Sequence, residues 1–217
     1  MSAQNPDFLV MIAVLGAMSL IPLLMIVSTA FLKIAIVLMM TRSALGVQQV
    51  PPNIAVYSIA LAATMFIMTP VGYQINENFH ERPIHSEHID QLEQNLGHNL
   101  APLSDFMTRN TNPDMSAHLN DMAHKMWPEN VSEKVGRDSP IIILPAFVLS
   151  ELQKGFEAGF LIYIPFIVID LIVSNLLLAL GMQMVSPMTI SLPLKVLLFI
   201  MVSGWTHLLD SLFYSYH

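Results

Sequence analysis

The sequence contains no cysteine and little charge. Without a thiol there is no disulfide framework, thiolate zinc site, iron–sulfur site or cysteine nucleophile. Charged residues make up 12% of the 217 positions, about half the share of a soluble domain, too few to cover a globule of this size. Bases are scarcer than acids, nine against sixteen, which argues against contact with nucleic-acid phosphates or anionic lipid heads. GxSxG, GxGxxG, DxDxDG, HExxH and a phosphate-cradling GxxxxGKS/T are also absent. No enzyme chemistry and no cofactor are therefore expected.

What is present is apolar. Hydrophobic residues make up 54% of the chain, and 16 of the 25 charged side chains fall between Glu77 and Asp138. This pattern describes a membrane-type or membrane-assembled all-α protein with one polar insert. Three regions follow: N-terminal hydrophobic helices over 1–75, an acidic helical insert over 76–139, and a C-terminal hydrophobic helical hairpin over 140–217.

Phe8 to Leu32 carries no charge and is long enough to cross roughly 30 Å of hydrocarbon. Pro22 should kink it. The preceding MSAQNPDF lacks a basic n-region and no small-x-small cleavage site follows, so a retained helix is expected rather than a signal peptide. SALGVQQVPPN reads as a loop, and Ile54 to Ile75 as a second span closed by Pro70 and Gly72. In the insert, Ile89, Leu92, Leu96, Leu100, Leu103 and Phe106 recur at steps of three or four, as do Met115, Leu119, Met122 and Met126. Both stripes predict amphipathic helices. After a proline-rich lead-in over 140–155, two long helices are predicted, about 156–181 and 190–213, joined by a tight apolar turn. The total is four spanning-length helices, arranged as kinked hairpins. Lys33, Arg42 and Lys195 flank the turns, which by the positive-inside rule places those turns in the cytoplasm and the insert outside.

Glu151, Lys154, Glu157 and Asp170 stand within twenty residues of apolar sequence, where an isolated ion costs at least about 2.5–3.5 kcal/mol. The spacing i, i+3 would line the first three up as an acid–base–acid ladder. Such a ladder is either a proton or ion relay, or the mark of helices that pair with protein instead of sitting in lipid. Pro145, Pro165, Pro187 and Pro193 favour the second reading, since the backbone groups they free need protein or a wet cavity. The turn GMQMVSPM, Gly181 to Met188, is rich in methionine. Its soft side chains either close on cargo of varied shape or fill core gaps. HSEH, with His80 upstream, places two imidazoles at i, i+3 but offers no third ligand, so a solvated polar face is expected and no metal.

The helices themselves carry a resemblance. STAFLKIAIVLMMTRSALGVQQVPPN (28–53) and the stretch from PAFVLSELQKGFEAGF to PLKVLLFIMVSGW (145–205) resemble the two signatures of the FliP/SctR family, the R-subunit of type III secretion export apparatuses. The N-terminus, without a long signal sequence, looks like the virulence-type (injectisome) branch of the Yersinia type. The resemblance implies a homo-oligomer, typically of five copies. These assemble with a FliQ-like S subunit (SctS) and a FliR-like T subunit (SctT) into a helical, pseudo-hexameric cone. The export switch and gate proteins (SctU and SctV) and the inner rod lie beside it. The cone would sit at the bacterial inner membrane, lifted largely to the periplasmic side within the basal body. It would admit unfolded secreted proteins as cargo and found the rod and needle. The family's methionine-rich gasket maps to Met182, Gln183 and Met184, where Gln183 departs from the methionine common at the middle position. Glu151, Lys154, Glu157, Asp170, Lys33 and Arg42 become candidates for pairing within or between subunits. The alternative is an independent multipass transporter or channel with an intramembrane charge relay.

Overall fold

Long apolar runs interrupted by proline form helices throughout this protein. The structure, a computed structural model, describes residues 6–47, 51–82 and 95–217. Its helices are α1 (Pro6–Ser28), α2 (Phe31–Ala44), α3 (Asn53–Glu81), α4 (Ala101–Asn110), α5 (Pro113–Met126), the single turn α6 (Glu129–Ser132), α7 (Pro140–Ala179), α8 (Pro187–Met201) and α9 (Gly204–Tyr214). A short helical stretch over 95–99 leads into α4, and no strand occurs among the described residues. The all-α expectation holds. Two helices, α3 and α7, are long and apolar enough to cross a membrane; the count reaches four if two bent pairs each serve as one span.

Several boundaries differ from the sequence reading. Helix α1 runs through Pro22, and the change of direction, 64° between 18–28 and α2, falls at Thr29–Ala30. Two hydroxyls bond back to carbonyls just before the break: Ser28 Oγ donates to Leu24 O and Thr29 Oγ1 to Met25 O. Helix α3 continues past Pro70 and Gly72 to Glu81. The lead-in over 140–155 is not separate. It is the first part of α7, which passes unbroken through Pro145 and Pro165 for 40 residues. Each proline removes one amide donor and would cost about 3 kcal/mol in an isolated helix. Packing of α7 against α2, α4, α5 and α8 overrides that local cost. The predicted helix over 190–213 is two helices, α8 and α9, meeting at 62°.

The insert's stripes also need correction. Ile89 and Leu92 lie outside the described residues. Leu100 is exposed, while Leu103 packs on the core and Phe106 is buried within it. On α5, Met122 and Met126 are exposed and the buried positions are Ser116 and Ala123. Met115 and Leu119 of the stripe are half-buried, so the packed face of α5 is centred on Ser116 and Ala123 and takes in only the first half of the stripe.

The core gathers around α2. Ile34, Val37 and Leu38 are fully buried against Val56, Ala60 and Ala63 of α3, Ile143 and Phe147 of α7, and Leu208 and Leu212 of α9. A smaller cluster joins Ala44 and Leu45 to Phe166 of α7 and Phe199 of α8. The α2–α7 seam is tight because of Gly155 and Gly159, one helical turn apart, a spacing that lets helix backbones approach. A Cβ on Gly159 would stand 2.4 Å from Met40 Sδ and 2.9 Å from Met40 Cβ. Gly159→Val is therefore expected to destabilise the protein by about 1–3 kcal/mol through overpacking. Thermal unfolding in detergent checks this, and Met40→Ala in the same chain should recover part of the loss.

Candidate functional site

Lys33 on α2 and Glu151 on α7 face each other across that seam, with Nζ 3.9 Å from Oε1 and both side chains almost fully buried. A third group completes the node. The Tyr216 hydroxyl donates to Glu151 Oε2, and the Tyr216 ring lies under the Lys33 ammonium, 3.5 Å from Nζ to the ring centroid. That ring is stacked on Phe106, with centroids 5.8 Å apart and planes 19° apart. Burial, with the Glu151 carboxylate beside it, pushes the Tyr216 phenol far above its usual range, so the hydroxyl stays protonated and donates. Glu151 Oε1 has no hydrogen bond of its own, and the nearby Lys33 charge is its compensation. Tyr216 escapes sequence reasoning because it lies 65 residues from Glu151 and carries no spacing signal.

The acid–base–acid ladder does not form. Lys154 Nζ turns instead to the carbonyl of Asn110 at 2.6 Å, the last residue of α4. There a cation complements the carbonyl end of the helix dipole. The amide of Asn112 donates to Ser150 Oγ at 3.0 Å, so α7 holds the insert at two adjacent points. Glu157 is exposed and makes no ion pair among the described residues. Asp170 is paired with Lys195 of α8 at 2.6 Å, with the lysine buried and the carboxylate half exposed. Lys195 also donates to Ala44 O at 3.2 Å, at the end of α2, and so ties three helices together. In sequence Lys195 reads only as an orientation marker; its position in an otherwise apolar run was the available signal. Arg42 Nη1 donates to Pro51 O and to Asn53 Oδ1, closing the loop between α2 and α3.

Met182, Gln183 and Met184 form the tip of the hairpin between α7 and α8. Gly181 turns the chain there with φ +73, a left-handed conformation suited to glycine. Met184 is 100% exposed and Met182 44%. The tip fills no gap in the chain's own core. Among the described residues no three His, Asp or Glu side chains gather to hold a metal. The HSEH run lies outside the described residues.

A model of the FliP family matches residues 14–212. The chain belongs to the FliP family. It is 63% identical over 202 residues to the harpin secretion protein HrpW of Pseudomonas syringae pv. syringae, covering 93% of this chain and 97% of that one. Identity to the harpin secretion protein HrcR of Erwinia amylovora is 58% over 216 residues, the full length of both. The Yop proteins translocation protein R of Yersinia pestis is 43% identical over 213 residues, 98% of each. FliP-family proteins are components of the type III secretion export apparatus and not enzymes.

In this family member the Lys33–Glu151 node predicts a specific pattern of stability. Lys33→Ala leaves a buried carboxylate without its cation and is expected to cost about 3–5 kcal/mol. Lys33→Met with Glu151→Leu, which removes both charges, should recover most of that loss. Denaturation of the detergent-solubilised variants reads both effects; equal losses in the single and double variants would show that the two side chains do not depend on each other.

Proposed function

We propose that this chain is the R subunit of a type III export gate. It assembles in typically five copies with FliQ-like S and FliR-like T subunits into a cone. The cone forms the pore by which unfolded secreted proteins leave and the base for the inner rod and needle. It belongs at the bacterial inner membrane, largely on the periplasmic side within the basal body, beside the switch and gate proteins SctU and SctV. The observation that carries this reading, beyond family membership, is the methionine tip. Two flexible thioethers project from a hairpin whose outer faces are apolar and uncovered by the rest of the chain, with Leu171, Ile172, Leu176 and Leu180 all more than half exposed. A tip of this kind suits a ring closed by several copies, which yields when a polypeptide passes. Gln183 adds an amide at the same tip, so the seal there is not wholly apolar.

The charged side chains bear on assembly. Lys33, Glu151, Asp170, Lys195 and Arg42 are engaged inside the chain, which fixes the root of the hairpin and leaves its far end for neighbours. Lys154 joins the insert to α7, and Glu157 is left for a partner chain. Affinity purification of the tagged chain in mild detergent should bring down two small hydrophobic proteins. A solitary chain with solute flux of its own would instead make it an independent transporter. Met182→Ala with Met184→Ala is expected to leave that assembly intact while raising the leak of small solutes several-fold. An unchanged leak would reduce the tip to packing.

A further inference from the structure

We propose that Tyr216 is a positioning residue, a latch that holds α8 and α9 in their bent arrangement. Releasing it lets residues 187–214 straighten into one membrane-spanning helix. The idea is independent of the pore assignment, because it concerns only how this chain folds in and out of lipid.

Taken together, α8 and α9 are apolar and long enough for one span, yet they meet at 62°. Straightened, their 28 positions would measure about 42 Å. The break lies at Ser203, which has φ 51 and ψ 41. It is the one non-glycine residue with positive φ among the described residues. Serine is not favoured in that left-handed conformation, and its side chain makes no capping bond that would reward it. The bend therefore needs an external hold. Gly204, next in sequence, makes it sterically possible: a Cβ there would stand 2.4 Å from the Phe199 ring.

The contacts that hold α9 fall into two kinds. Leu208 and Leu212 are buried in the main core, and Phe213 meets Phe66 with ring centroids 5.0 Å apart. These side chains lose little on moving from a protein core to hydrocarbon, since lipid tails are as apolar as leucine. They do not choose between bent and straight. Tyr216 does. Its hydroxyl donates to the otherwise under-served carboxylate of Glu151 and lies 3.4 Å from the carbonyl of Ala30, at the other bend. Its ring carries Lys33. The Glu151 and Lys33 contacts belong to the bent arrangement, as does the edge contact of Trp205 on Phe199 across the bend itself, with ring centroids 5.2 Å apart. Those of Tyr216 are the polar ones that hydrocarbon cannot replace, so Tyr216 biases the equilibrium between the two states. Asp210 is exposed, one turn from the end of α9, where a straightened span would meet the headgroups.

The absence of cysteine allows a clean test in the full chain in its own membranes. Phe66→Cys with Phe213→Cys reports the latched state through the yield of crosslinking by a short bismaleimide. Tyr216→Phe, which keeps the ring and removes the donor, is expected to lower that yield about threefold or more, and Tyr216→Ala further still. In a Lys33→Met/Glu151→Leu background no carboxylate needs the donor, and Tyr216→Phe should leave the yield unchanged. Equal losses in both backgrounds, or none in the original, would overturn the proposal. Accumulation is read alongside by immunoblot. A Tyr216→Phe chain that disappears in the original background and accumulates in the apolar one supports the latch; one that disappears in both counts against it.

Discussion

Two opposite charges placed where water does not reach set the terms for the rest of this fold. Removing a carboxylate and an ammonium from water costs several kcal/mol each, and attraction between them offsets this only with good geometry and further hydrogen bonds. Lys33 and Glu151 meet part of that demand by recruiting Tyr216 as both donor and ring, while Glu151 Oε1 keeps only the Lys33 charge 3.9 Å away. The requirement fixes α2 against α7 in one register. A shift of a single helical turn would move each partner about 5.4 Å and leave two orphan ions. Gly155 and Gly159 follow from the same constraint, because they allow the close approach that brings the charges within reach.

The length of α7 carries a second consequence. Forty residues measure about 60 Å, twice the hydrocarbon thickness of a bilayer. The helix cannot be a simple span. Its first half is occupied by protein: Ile142, Ile143, Ala146, Phe147, Ser150 and Glu151 are buried, and Ser150 and Lys154 hold the insert. Its second half shows Leu171, Ile172, Leu176 and Leu178 to the outside. One continuous element thus joins a polar, protein-packed region to an apolar arm. The ion pair with Lys33 sits in the first third of that element, on its protein-packed side.

Much of this was readable from residue types. Helical class, the polar insert, and the unusual status of Glu151 and Asp170 all follow from charge in apolar sequence, because that is a local signal with a large energetic penalty. Lys33 becomes a pairing candidate only through the family resemblance. Pairings were not readable. Spacing suggested that Lys154 would serve its neighbours at i−3 and i+3, but a carbonyl 44 residues away offered a better partner. Helix boundaries failed at the prolines for a similar reason. Pro70 and Pro145 carry a fixed local cost, whereas the packing that overrides it is tertiary. The methionine stripe on α5 failed because apolar periodicity does not distinguish a face that packs on its own chain from one left outside.

The two bends show why hydropathy overstates the number of straight spans here. A helix broken in lipid leaves carbonyls and amides with no water to serve them, so irregular backbone at membrane depth survives only against protein or in a wet cavity. At Thr29–Ala30 that service is visible. Ser28 and Thr29 hydroxyls donate to the Leu24 and Met25 carbonyls, and the Ala30 carbonyl accepts the Ile34 amide at 3.4 Å, with the Tyr216 hydroxyl, whose proton goes to Glu151, lying beside it. At Ser203 the carbonyl accepts the amides of Thr206 and His207. A side chain from beyond the second bend thus packs against the first. A sequence that reads as four greasy helices therefore folds with two of them broken, each break keeping backbone hydrogen bonds within the chain.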